Sequence, residues 1–131
     1  MTFPSPAAEP PLVMIVDDNA KNRKLARDVL SAAGLRTLEA ATGADAIALA
    51  TQDVPNVILM DLRLPDMDGT DAARKLREGE RTSSIPVVAM SSLPLERSGD
   101  WFRAAGFAGY LEKPISVRAF PDQVRRYCEG C

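Results

Sequence analysis

The chain of 131 residues contains no histidine, so any chemistry that passes through an imidazole must borrow that ring from another molecule. Cysteine is nearly absent. Cys128 and Cys131 form a C-x-x-C at the extreme end, without the second half-site, histidine or following helix that metal or redox chemistry needs, and they read as a reduced, frayed terminus. No apolar run approaches the roughly 18 residues of a membrane helix, and Thr2 to Pro11 lacks the basic start and apolar stretch of a signal peptide. The expectation is a cytoplasmic protein with no membrane contact. Neither sign of charge dominates, with 16 basic residues against 18 acidic ones; the basic excess expected of a nucleic-acid partner is missing.

What is present suffices for one domain with its own core, without disulfides or a structural metal, and leaves no room for a second. The opening carries Pro4, Pro6, Pro10 and Pro11 and reads as a disordered or polyproline-like segment. The expected division is a Pro-rich tail over 1–11, a folded domain over 12–127 and a short tail over 128–131.

Within the folded part, short apolar runs alternate with helical periodicity. Leu12 to Val16, Leu35 to Glu39, Val57 to Met60, Ile85 to Met90 and Phe107 to Leu111 read as strands. Lys21 to Ala33 places Leu25, Val29 and Leu30 on one helical stripe, closed by Gly34. Thr42 caps a helix carrying Ala46, Ile47, Leu49 and Ala50, which ends before Pro55. Asp68 caps another, with Ala72, Ala73 and Leu76, ending near Gly79. Pro94 to Ala105 forms a helix of lowered propensity with Trp101, Phe102 and Ala105 on its apolar side, and Val117, Phe120, Val124 and Tyr127 mark the last helix.

Pro121 conflicts with capping of that last helix by Ser116, since a proline beyond the first turn deletes a backbone bond; a kink or a later start is predicted. Runs that are apolar throughout, rather than alternating, suit strands buried on both faces. The predicted fold class is α/β: a doubly wound, flavodoxin-like parallel sheet of five strands in the order 2-1-3-4-5, with five helices and right-handed crossovers.

Three of the runs end in chemistry. Leu12 to Val16 stops at Asp17 and Asp18, Val57 to Met60 stops at Asp61, and Gly109 to Leu111 leads into Glu112, Lys113 and Pro114. Parallel strands share one carboxyl edge, so these groups converge on a single pocket. A carboxylate nucleophile attacking phosphorus gives an aspartyl phosphate, and the barrier is the approach of anion to anion. A Mg2+ ion seated by Asp17 and Asp18 would relieve it, with Lys113 and the Ser91 hydroxyl addressing other phosphoryl oxygens. Taken singly, each residue has a plain structural role: an Asp after a strand caps a helix, a Lys beside a Pro is a solvated charge, and Tyr110 is a core aromatic. The joint placement carries the functional reading.

That placement resembles the receiver domain of two-component response regulators, through VMIVDDN, ILMDLRLPDMDG, IPVVAMSS and GYLEKPIS in order, over Leu12 to about Tyr127. The resemblance implies Asp61 as phosphoacceptor, and Asp17, Asp18, Asp61 and the backbone carbonyl of Arg63 as the Mg2+ seat. It further implies Ser91 as switch hydroxyl, Tyr110 as the coupled aromatic, Lys113 as the site lysine, Gly69 as the loop glycine and a cis bond before Pro114. Such a protein catalyses only its own phosphorylation and dephosphorylation. The phosphoryl group would come from a partner histidine kinase, a histidine phosphotransfer protein or a small-molecule phosphodonor. The downstream protein target would bind a face built from the fourth helix, fifth strand and fifth helix, with Trp101 a candidate anchor. With no output domain in the sequence, the expected readout is phosphorylation-dependent partner binding, as in stand-alone regulators.

Some residues depart from the family pattern. Ser92 stands where a small Ala or Gly is usual, and Arg63 is placed to arch over the phosphoryl group. Two rival readings compete. Asp66-Met67-Asp68-Gly69-Thr70 spells the DxDGT motif of haloacid-dehalogenase-type phosphatases, although the preceding strand ends at Asp61, not at Asp66. The other rival is a receiver-like binding module whose acidic pocket takes no phosphate.

Overall fold

A computed structural model describes residues 10–92 and 101–129, except the side chains of Trp101 and Glu129. In chain order the elements are β1 (Leu12–Val16), α1 (Ala20–Ala32), β2 (Arg36–Ala40), α2 (Gly43–Asp53), β3 (Val57–Asp61), α3 (Gly69–Glu78), β4 (Val87–Ser91), α4 (Trp101–Ala104), β5 (Gly109–Glu112) and α5 (Phe120–Glu129). The strands form one sheet, ordered β2-β1-β3-β4-β5 and parallel throughout. This is the predicted class and order.

Burial on both faces explains the unbroken apolar runs. Val13 and Ile15 of β1 point to the side that also holds Ala26 and Leu30 of α1 and Phe120 and Val124 of α5. Met14 and Val16 point to the other, among Ala46 and Ala50 of α2, Ala72 and Leu76 of α3, and Phe102 of α4. A strand with helices on either side has no solvent face on which to place polar residues.

Helix ends follow local chemistry. Asn19 Oδ1 accepts from the backbone N–H groups of Lys21 and Asn22, which starts α1 one residue earlier than expected. Gly34 has φ +89°, and the Leu35 N–H reaches back to the Leu30 carbonyl, the closure expected of a C-terminal glycine. Thr42 Oγ1 caps α2 through Asp45 N–H at 3.0 Å. Asp68 occupies the cap position of α3, but its side chain bonds none of the first-turn N–H groups. The Gly69 N–H is taken instead by the Leu62 carbonyl at 2.9 Å. Ser116 Oγ accepts from Ala119 N–H, yet the helix proper begins at Phe120, because Pro121 has no N–H for the Val117 carbonyl.

Four expectations need correction. Leu25 is 45 % exposed, and Ala26 takes the inward position on α1. Val117 is 59 % exposed, because the stripe of α5 starts only at Phe120, three residues later. Cys128, expected in a terminal tail, lies on α5 and packs against the core. Pro10 and Pro11, expected in the leading tail, accept through their carbonyls from the Arg36 side chain and the Arg36 N–H. The rest of that tail, Cys131 and the stretch from Pro94 to Asp100 lie outside the described residues, as does the side chain of Trp101.

Val54, which closes α2, has φ +44° and ψ 71°. A β-branched residue is costly in this left-handed region, whereas glycine is not. Val54→Gly is therefore expected to raise the free energy of unfolding by about 1 kcal/mol, read from urea denaturation; an unchanged or lower value would show that no strain is held there.

Candidate functional site

Strand register decides which side chains meet. In the β1–β3 pair Val16 lies opposite Met60, so the next residues, Asp17 and Asp61, emerge side by side from the carboxyl edge. The chain also reverses its direction of progress across the sheet at this pair, where parallel sheets open a crevice. In the β4–β5 pair Ser91 lies opposite Glu112, which brings Lys113 to the same edge. The Lys113 N–H donates to the Ser91 carbonyl at 2.8 Å.

Lys113 Nζ donates to Asp17 Oδ2 and to Asp61 Oδ2, each at 3.0 Å. The other oxygen of each carboxylate accepts a backbone N–H two residues on: Asn19 to Asp17 Oδ1 at 2.9 Å, and Arg63 to Asp61 Oδ1 at 3.0 Å. Both acids are thus held as acceptors in fixed orientations, with side chains 2 % and 14 % exposed. Asp18 is exposed, and among the described residues none hydrogen-bonds its carboxylate.

Burial opposes the charge on Lys113, but the hydrogen bonds it donates to Asp17 and Asp61, together with their charges, outweigh it, so its pKa is raised above the ordinary lysine value. A raised lysine pKa stabilises the fold below the unfolded value of about 10.4 and loses that contribution as pH climbs through the folded value. At neutral pH the Lys113 ammonium is therefore fully charged.

One oxygen from each of Asp17, Asp18 and Asp61 lies within 4.8 Å of the others. Oxygens opposite each other around Mg2+ are about 4.2 Å apart, so a small contraction would place all three around one ion. The donors are hard oxygens with no nitrogen or sulfur among them, which suits Mg2+ and not a soft metal.

Ser91, the last residue of β4, is 8 % exposed; Tyr110 of β5 is 9 % exposed, its ring centroid 6.1 Å from that of Phe102. Arg63 and Ser92 are solvent-exposed. At Gly69, a Cβ would lie 2.5 Å from the Asp61 carbonyl oxygen, so only glycine lets the loop pass this close to β3. The Lys113–Pro114 bond is cis. The residues singled out in sequence therefore do gather at one edge, Tyr110 in the layer beneath.

Asp66, nucleophile of the rival phosphatase motif, does something else. Its two carboxylate oxygens accept the backbone N–H groups of Gly43 and Ala44 at 2.8 and 2.9 Å, closing the amino end of α2 from a different loop. These bonds to Gly43 and Ala44 lower its pKa. The acidic cluster among the described residues consists of Asp17, Asp18 and Asp61, without Asp66.

The sequence pattern described as response regulator receiver domain matches residues 13–125. The chain belongs to that family. As a receiver domain it is 36 % identical over 115 residues to the polar-differentiation response regulator DivK of Brucella ovis, spanning 88 % of this chain and 94 % of the relative. DivK of Brucella anthropi is 36 % identical over 118 residues, 90 % of this chain and 96 % of that one. Among solved structures, the receiver domain of a sensor histidine kinase from Pseudomonas aeruginosa PAO1 superposes with a TM-score of 0.82 at 30 % identity, covering 92 % of this chain and 98 % of that one. That structure has a magnesium ion coordinated in its active-site cleft. The chemotaxis response regulator CheY4 of Vibrio cholerae superposes with a TM-score of 0.82 at 25 % identity, over 90 % and 98 % of the two chains. Receiver domains are signalling proteins of two-component systems, not enzymes in the usual sense, and they bind Mg2+ at an acidic cluster of the kind found here. They interact with histidine kinases and phosphotransfer proteins.

Sequence reasoning missed three groups that shape this edge: Asn19, which both starts α1 and holds Asp17; Asp66 as a cap in trans; and Arg23, which donates to the Asp17 carbonyl. Asn19 directly after the acidic pair was a legible cap signal.

An ionised Asp66 stabilises the fold above the unfolded aspartate pKa of about 3.9, and that contribution is lost as pH falls through its lowered value. Asp66→Asn should therefore lower the urea midpoint at neutral pH, and the gap from the parent should close on acidification. A gap independent of pH would contradict the cap.

Proposed function

We propose that Asp61 is the phosphoacceptor of this receiver domain and that signalling proceeds through a phosphorylation-dependent change in partner binding. The observation that carries this reading is the double bridge of Lys113 to Asp17 and Asp61 at 3.0 Å beside Asp18. It leaves one carboxylate at the crevice with a cation already in place.

In the proposed transfer a partner's phosphohistidine enters the crevice and an Asp61 oxygen attacks phosphorus in line. The P–N bond breaks, its electron pair stays on the imidazole, and an acyl phosphate forms. Lys113 turns one hydrogen bond from Asp61 to a phosphoryl oxygen, neutralising charge in a partly buried setting. Asp17, Asp18, Asp61 and the Arg63 carbonyl are the residues that would hold Mg2+, which when bound supplies the remaining charge neutralisation. The imidazole must come from a histidine kinase or phosphotransfer protein, since this chain has none; a small phosphodonor would serve in its place. An apolar recess of about 210 Å³ beside Asp17 and Lys113, lined in part by Leu25, Ala26, Pro114 and Ile115, supports docking of such a donor. The exposed Leu25 belongs to this recess.

After transfer, the Ser91 hydroxyl would turn to the phosphoryl group and Tyr110 would shift with it, altering the face of α4, β5 and α5 that the target protein reads. Slow self-hydrolysis would reset the state. No helix among the described residues is long and apolar enough to cross a membrane, and the cytoplasm is the proposed location. We further propose a folded unit close to 12–127, extended by the Pro10 and Pro11 carbonyls that Arg36 bonds and by the last helix running on past Cys128.

Acetyl phosphate with Mg2+ should label the full chain and Asp66→Asn, but not Asp61→Asn. Labelling that survives loss of Asp61 and disappears with loss of Asp66 would establish the phosphatase chemistry instead. If the unaltered chain takes no label from acetyl phosphate or from a panel of phosphorylated histidine kinases, it is a binding module.

A further inference from the structure

Asp18 is the acidic-cluster carboxylate that no hydrogen bond among the described residues orients, so its direction depends on the peptide that joins it to Asp17. That peptide is gripped from outside the site. The Asp17 carbonyl accepts from Arg23 Nη1 at 2.8 Å, and Arg23 Nε is held by Glu39 Oε1 of β2 at 3.3 Å. The second Glu39 oxygen accepts from Arg27 Nη1 at 3.0 Å. The Asp17 N–H donates to the carbonyl of Ala40, next to Glu39, at 3.1 Å. The end of β2 therefore fixes both sides of Asp17, directly through its backbone and indirectly through a clamped guanidinium. The Arg23 and Glu39 side chains are 20 % and 29 % exposed, so solvent competes little for these bonds.

We infer that Arg23, aimed by Glu39, is a positioning residue for the acidic cluster, holding the Asp17–Asp18 peptide so that both carboxylates face a divalent cation beside Asp61. This rests on the reading of the cluster as a Mg2+ seat. Two effects of Arg23 oppose each other. Its charge repels a cation, so on electrostatics alone its removal tightens Mg2+ binding. Its hydrogen bond fixes the peptide, so on geometry its removal weakens binding, as loss of outer contacts to metal ligands does. The sign of the change separates them.

The test is calorimetric titration of the full chain with Mg2+ alone for the parent, Arg23→Gln, Arg23→Lys and Arg27→Gln, each with its unfolding midpoint in chelator. Arg23→Gln is expected to weaken Mg2+ binding about tenfold while remaining folded. Arg23→Lys, which keeps a donor but not the two-sided grip, falls between it and the parent. Arg27→Gln removes a cation from the same Glu39 without touching the Asp17 carbonyl, and leaves affinity unchanged or tighter. With acetyl phosphate, the Arg23→Gln defect appears in the Mg2+ concentration for half-maximal labelling and recedes at saturating Mg2+, a split that general destabilisation does not give. Unchanged or tighter Mg2+ binding in Arg23→Gln overturns the inference, as does an equal loss in Arg27→Gln. Should Arg23→Gln not fold, parent-like affinity in Arg23→Lys and a limiting rate lowered without change in half-saturation overturn it equally. A parent chain that binds no Mg2+ defeats the underlying reading; a parent that binds it, with Arg23→Gln indifferent, removes only the role of Arg23.

Discussion

Three carboxylates at one sheet edge would repel one another, and the Lys113 ammonium is the interaction that makes their gathering tolerable. It lies 3.0 Å from both Asp17 and Asp61. Removing a partner from such a largely buried pair leaves a charge with poor solvation, which is more damaging than the net worth of the pair. The remaining architecture can be understood as the means of bringing this lysine, from the end of β5, back to the crevice between β1 and β3. Five parallel strands in a single twisted sheet do so because every carboxyl end lies on the same edge.

The two strands nearest the site contribute by register, not by affinity for one another. A slip of one residue between β1 and β3 would send Asp17 or Asp61 to the opposite face of the sheet and bury it among apolar helix contacts. The apolar residues on both faces exclude that slip, because each of Val13 to Val16 and Val57 to Met60 is buried within a defined cluster. The geometry of the acids is thus enforced by hydrophobic packing well away from them.

Much of this was legible in the chain because two-sided burial writes strands as uninterrupted apolar runs. Residues at the ends of those runs then stand out, and Asp17, Asp18, Asp61, Ser91 and Lys113 could be named from order alone. Legibility failed where a side chain answers to a distant element. Leu25 fits a helical stripe by spacing, yet on α1 it is exposed and Ala26 beside it is buried. Val117 fits a stripe that a proline delays. Asp66 lies in a phosphatase-like string, but its carboxylate serves the end of α2, more than twenty residues earlier in sequence. Arg23 and Glu39 are separated by 16 positions, and nothing in their local context marks them as neighbours of Asp17. Periodicity reports which face of an element is covered; it does not report which polar groups reach across.

The grip of Asp66 on α2 has a mechanical result. The loop after β3 carries Arg63, whose N–H touches Asp61, and three residues later the anion that closes α2. Displacement of that loop must break two short ionic hydrogen bonds or drag the amino end of α2 along. The eleven-residue helix then behaves as a lever roughly 16 Å long, and a disturbance at the crevice would register on the flank of the molecule opposite α5.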